Sequence, residues 1–264
     1  MKKIAILCLV VFVSMFGTTA QNVAIGEWKS HLPYNGAAFV ADAGAKVYCA
    51  NGNAVFSYSK TDQSYDRLST AAGFSDIGIK NLNYGAEKNV LVIGYTNSNI
   101  DFLFGTEIYN FPFIKESNIN GDKNIYNAAF LGDTVILSCG FGIVLFDIQK
   151  RESPATFFFT SADASNMRVN ASVVSDGYIY AGTANGVFKG SLSEPNLQDF
   201  SKWELSNDAS LPIGDTRYIS AFNGELYASI GDTIYKHDGT GWQNWFFEAG
   251  WTTNQMRTDR KSVV

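Results

Sequence analysis

A pattern of about forty-five residues recurs five times along this chain, and that spacing restricts the fold more than any single residue does. An apolar pair followed by small residues reads Val47-Tyr48-Cys49-Ala50, Ile136-Leu137-Ser138-Cys139, Ile179-Tyr180-Ala181-Gly182 and Leu226-Tyr227-Ala228-Ser229, with Val92-Ile93-Gly94 as a looser copy. The copies begin at 47, 92, 136, 179 and 226, in steps of 45, 44, 43 and 47 residues. Eight residues after each start comes a second short segment, at Val55, Ile100, Val144, Val187 and Ile234. Turn formers lie between the two, among them Asn51-Gly52-Asn53, Gly140-Phe141-Gly142, Asn185-Gly186 and Gly231-Asp232. Glycine and asparagine reach positive φ at little cost, as tight hairpins require, so each unit contains a β-hairpin.

A third strand precedes each hairpin, at Ala37–Ala41, Ile79–Tyr84, Tyr126–Leu131, Val169–Val174 and Tyr218–Phe222. A fourth follows and carries an aromatic: Tyr65, Phe111, Phe157, Trp203 or Trp242. Four antiparallel strands per unit of this length describe the blade of a β-propeller. The expected fold is therefore all-β, with five complete blades and an incomplete ring. Blades converge at the hub, and Ala50, Gly94, Ala181 and Ala228 suit that crowding, while the outer aromatics fill the widening gaps between blades. A β-sandwich also reads as many short strands, but near-constant spacing favours the propeller. No helical periodicity competes.

The ends read differently. Met1-Lys2-Lys3, the apolar run Ile4–Phe16 and the small residues up to Ala20 form a secretory signal peptide, with cleavage expected between Ala20 and Gln21. Glu27-Trp28-Lys29 matches the fourth strand of a blade, beside Lys202-Trp203-Glu204 and Gly241-Trp242-Gln243, but no other strands of that blade precede it. Residues 21–258 are thus expected to form part of a propeller. Asp259-Arg260-Lys261-Ser262-Val263-Val264 resembles the translation of a sequencing adapter, which implies a non-native tail over 259–264 and a natural protein continuing past Thr258.

Composition excludes several classes. With 46% hydrophobic and 17% charged residues the chain can bury a sizeable core. A net charge of −5 provides no basic stripe for nucleic acid. After the signal peptide no apolar run approaches the length of a membrane span. Cys49 and Cys139 fall on different units and read as free thiols; neither sits in a pattern that binds zinc.

Chemistry is sparse. The two histidines, His31 and His237, have no nucleophile at a recognisable elbow. Asp42, Asp76, Asp101, Asp176 and Asp215 are the carboxylates a glycosidase could recruit, and no spacing singles out an acid–base pair. Asp76 and Asp215 precede inner strands, where a propeller has its mouth. Asp238-Gly239-Thr240-Gly241 lacks the alternating oxygens of a calcium loop, and Gly182–Gly186 lies between strands, not before a helix. The reading is of a protein without catalytic, metal or cofactor residues. Loop residues Gly73, Phe74, Ser75, Asp76 and Asp215 are the candidates for partner contact.

The opening Gly26-Glu27-Trp28-Lys29-Ser30-His31-Leu32-Pro33-Tyr34 resembles the mature start of the PorZ family of Bacteroidetes, as does Leu68–Asp101 with Gly73-Phe74-Ser75-Asp76 and Leu91-Val92-Ile93-Gly94-Tyr95. The blades are similar to the two-component-regulator propeller repeat. The resemblance implies a non-enzymatic part of the type IX secretion system. It implies export to the periplasm or outer-membrane surface, partnership with the sortase and other secretion components, and lipopolysaccharide or a glycan as a further ligand. The alternative it leaves open is the periplasmic, glycan-sensing propeller of a hybrid two-component regulator.

Overall fold

Short segments rich in β-branched and aromatic residues alternate in burial along this chain, as in Val55–Ser59, where every second side chain is covered. In a computed structural model, residues Leu32, Tyr34, 36–254 and Met256 are described. The expected signal peptide with Ala20 and Gln21, the strand around Trp28, His31 and the tail 259–264 lie outside them.

The described residues form five four-stranded antiparallel sheets, each built from consecutive strands. Blade 1 contains β1 (Phe39–Asp42), β2 (Lys46–Ala50), β3 (Val55–Ser59) and β4 (Tyr65–Leu68). Blade 2 contains β5 (Ile79–Gly85), β6 (Val90–Tyr95), β7 (Ile100–Phe104) and β8 (Glu107–Asn110). Blade 3 contains β9 (Ile125–Leu131), β10 (Thr134–Cys139), β11 (Gly142–Asp147) and β12 (Glu152–Phe158). Blade 4 contains β13 (Val169–Ser175), β14 (Tyr178–Thr183), β15 (Gly186–Ser191) and β16 (Glu204–Leu205). Blade 5 contains β17 (Thr216–Phe222), β18 (Glu225–Ile230), β19 (Thr233–His237) and β20 (Trp242–Phe247). The expected propeller is the observed fold.

The hairpins need glycine where the sequence supplies it. Gly142 opens β11 at φ +139°, and a Cβ there would stand 2.0 Å from the carbonyl oxygen of Phe157 on β12. Only a residue without a side chain lets the outer strand pair that closely.

Hydrophobic cores lie between blades. One joins blades 1 and 2 through Ala41, Phe74, Leu82, Ile93 and Tyr95, and another joins blades 2 and 3 through Val92, Phe102, Val135, Leu137 and Phe146. Two more join blade 3 to 4 and blade 4 to 5. Among the described residues, then, five blades share four such cores, and no such core joins blade 5 to blade 1.

The hub differs from expectation. The strands around the central channel are the first of each unit, supplying Val40, Asn83, Asn127, Ser172 and Ser220 to a cavity of about 560 Å³. The small residues Ala50, Gly94, Ala181 and Ala228 sit one strand further out. At Gly94 the missing side chain lets an inner-strand group lie across it: a Cβ there would collide with the Asn81 side chain, which donates to the carbonyl of Ile125 in the next blade at 2.7 Å. The outer aromatics divide. Phe157, Trp203 and Trp242 are buried between blades, whereas Tyr65 is 67% exposed on β4, the outer strand of blade 1. Cys49 and Cys139 are free thiols on blades 1 and 3, and burial pushes both upward in pKa.

Candidate functional site

The loops that carry the chain from one blade to the next all reach the start of an inner strand, so in this antiparallel topology they share one face. The Gly73–Asp76 loop belongs to this face, as does Asp215.

The first of these loops is tied down at every step. A 3-10 turn over Thr70–Ala72 ends at Gly73 in the left-handed region at φ +109°, and Phe74 N–H closes back on the Ser69 carbonyl at 3.2 Å. The Phe74 side chain is buried in the core of blades 1 and 2. Ser75 N–H donates to Asp101 Oδ2 at 2.8 Å. Asp101 is fully buried and also accepts from the Tyr95 hydroxyl at 2.5 Å and from Asn110 Nδ2 at 2.9 Å, so this carboxylate is spent on holding the loop. Asp76 accepts from Asn97 Nδ2, Asn99 Nδ2 and Lys115 Nζ at 2.5, 3.2 and 2.9 Å. Burial pushes its pKa up, but those donors outweigh it and hold the carboxyl at about 2. What the loop displays is its tip, Ile77, 61% exposed.

Asp215 lies three blades away in a second network. It accepts from Arg168 Nη2 at 2.9 Å and Asn170 Nδ2 at 2.8 Å, and Arg217 Nε is 3.7 Å from its other oxygen. The neighbouring tip Ile213 is 68% exposed. The candidates therefore share a face without meeting. Gly73, Phe74, Ser75 and Asp76 form one rigid unit in which Phe74 packs and Asp76 clamps, and Asp215 bridges blades 4 and 5.

Of the other carboxylates, Asp42 lies at the far end of β1, ion-paired with Lys60 at 2.8 Å, and Asp176 occupies the turn between β13 and β14 at φ +49°. His237 ends β19 with its ring 5.1 Å from that of Trp242 and accepts from Gly239 N–H. Among the described residues no three His, Cys, Asp or Glu side chains gather as metal ligands, and no helix is long and apolar enough to cross a membrane.

Sequence reasoning passed over four residues near the loop-bearing end of the inner strands: Lys80, Tyr126, Asn170 and Arg217. A signal was present, because each directly follows the first residue of an inner strand and each is polar or amphipathic. Lys80 Nζ lies 5.0 Å from the centroid of the Tyr126 ring and the Arg168 guanidinium 5.6 Å. The Tyr126 hydroxyl donates to Asp122 Oδ2 at 2.5 Å.

Known proteins share this architecture. The sequence model of a family described as "TSS9, PorZ, N-terminal beta-propeller domain" matches residues 47–204, more than half of the chain. The structure of PorZ from Porphyromonas gingivalis, described as an essential bacterial surface component of the type-IX secretion system, superposes with a TM-score of 0.68 at 21% identity, over 79% of this chain and 27% of that one. The extracellular domain of a hybrid two-component system from B. thetaiotaomicron superposes at 0.57 and 14% identity, over 72% of this chain and 25% of that one. The computationally designed Ika8 protein reaches 0.53 at 14% identity, over 81% and 62%. At these identities the structural likenesses speak for the fold alone, and this chain spans about a quarter of the first two proteins. No curated protein matches its sequence.

Proposed function

This chain belongs to the PorZ N-terminal β-propeller family, and from that membership we propose that it is a non-enzymatic scaffold of the type IX secretion attachment complex. On this reading the protein is exported through its N-terminal signal and works at the periplasmic or outer-membrane surface. It acts there with the sortase and other secretion components, with lipopolysaccharide or a glycan as a further ligand. The observation that carries the reading is the family match over 47–204, which runs from β2 of blade 1 to the start of β16 in blade 4. The extracellular two-component domain shares the blades at lower similarity, so the glycan-sensing alternative is the weaker of the two.

The mechanism is presentation. A propeller has rigid sheets and leaves its loops as the variable surface. The Gly73–Asp76 loop is the proposed partner contact because buried Asp101 and the Asp76 clamp pre-organise it, which lowers the ordering cost on binding. Its exposed anchor is Ile77, with Ser75 beside it, and Asp215 marks the corresponding contact at blade 5. The test is capture of purified sortase by the chain and by Ile77→Ser. The variant is expected to lose about fivefold or more in capture, as a central apolar contact does, with an unchanged melting temperature. Equal capture by both proteins would remove this loop from the interface.

A further inference from the structure

The pairing of the inner strand with its neighbour slips by one residue at the same level in four blades: after Ile79, Ile125, Val169 and Thr216. In β1 the pairing runs without a break. The extra residues are Lys80, Tyr126, Asn170 and Arg217, one from each of blades 2 to 5. A bulge re-aims the side chain it carries, and bulges gather beside binding sites. Here all four lie at the loop-bearing end of the inner strands and form one connected arc. Lys80 and Arg168 sit over the Tyr126 ring, Asn170 and Arg168 donate to Asp215, and Arg217 flanks the same carboxylate. Lys80, Tyr126 and Tyr218 line a cavity of about 150 Å³ that opens there.

The chemistry of this arc selects for a negative group. Three cations face two carboxylates, Asp122 and Asp215. Lys80 has no ion-pair partner among the described residues, and the Nε of Arg168 is buried with no hydrogen-bond partner among them. Sugars bind by stacking on open aromatic faces, and that mode is poorly served: Tyr126 is covered by Lys80 and Arg168, and the Tyr218 hydroxyl is bonded to the Asn254 carbonyl. Two exposed apolar tips, Ile77 and Ile213, stand on the same face. Apolar anchors beside a polar contact are the anatomy of a protein interface.

We infer that the bulge arc is a socket for an acidic segment of a partner protein, whose Asp or Glu carboxylates are received along it, by Lys80 at one end and by Arg168 and Arg217 beside Asp215 at the other. The inference rests on the reading that this face meets partner proteins. It is tested by fluorescence anisotropy of a labelled octaglutamate peptide with the chain, with Lys80→Gln/Arg217→Gln, and with Lys150→Gln/Lys202→Gln, which removes the same charge away from the mouth. Saturable binding is expected that weakens as salt rises from roughly 0.05 to 0.5 M. It should weaken about fivefold or more in the mouth variant and hold in the distal variant, with all three melting alike. Absence of saturable binding, or equal loss in both variants, overturns the socket. Tighter binding of an oligogalacturonate than of the peptide, lost in the mouth variant, overturns it in favour of a glycan site. Sortase capture that depends on Ile77 while the peptide does not bind overturns the socket and leaves the scaffold reading standing.

Discussion

Strands β7 and β20 both carry aromatic residues, yet three of the four rings on β20 lack the cover that Phe102 has on β7. Phe102 on β7 is fully buried, stacked on Phe146 of the next blade at 4.6 Å and edge-on to Phe111 at 5.3 Å. On β20, Trp245 and Phe247 are 58% and 57% exposed, while Trp242, three residues before Trp245, is 3% exposed against blade 4. The contrast comes from the neighbouring sheet. Each blade has two apolar faces, and burial at about 25 cal/mol per Å² is gained only where a second blade covers one. Blade 2 lies between two neighbours; blade 5 has one among the described residues. Blade 1 mirrors blade 5, with Tyr65 exposed on its outer strand. Apolar surface of this kind invites association until something covers it.

The comparison breaks first at Phe102. Phe102→Ala leaves a cavity in the core of blades 2 and 3 and is expected to cost about 3–5 kcal/mol, read as a lower urea midpoint at an unchanged slope. A loss below about 1 kcal/mol would show that the core is loosely packed and the contrast overstated. A smaller effect is expected at the clamp beside β7. Asp76 is held at about 2, below the usual carboxylate range near 4, so its stabilisation is full above pH 4 and is lost as pH falls towards 2. Asp76→Asn should therefore cost roughly 1–2 kcal/mol at neutral pH, and the urea midpoints of variant and parent should converge near pH 2. A constant gap across that window would mean that Asp76 titrates normally. The smallest effect belongs to β20: Trp245→Ser/Phe247→Ser should change stability by less than about 0.5 kcal/mol while reducing self-association in sedimentation velocity. A large loss of stability would show that those rings are covered in solution.

Much of this arrangement was legible beforehand, for a physical reason. A hairpin needs glycine or asparagine at a fixed distance from its strands, so Gly52, Gly142 and Gly186 marked the turns, and the forty-five-residue period followed. The candidate site was legible only in part. Phe74 and Asp76 were rightly placed on an inter-blade loop, but nothing local reveals that Phe74 packs inward and Asp76 is tied to Lys115, because their partners lie in other elements. Lys80, Tyr126, Asn170 and Arg217 were missed because a bulge is a property of the pairing between two strands. The inner and second strands exchanged places at the hub for a similar reason: order from the axis is set by which strand meets the next blade.

By itself, the sequence determined the strand period, the turns, the blade count and the family, since local backbone preference and apolar patterning act over a few residues. Tertiary structure alone decided which aromatics are covered, which carboxylates are spent on holding loops, and which side chains the bulges carry. Those outcomes depend on contacts between residues tens of positions apart, such as Asn81 with Ile125 and Arg168 with Asp215, which no local pattern encodes.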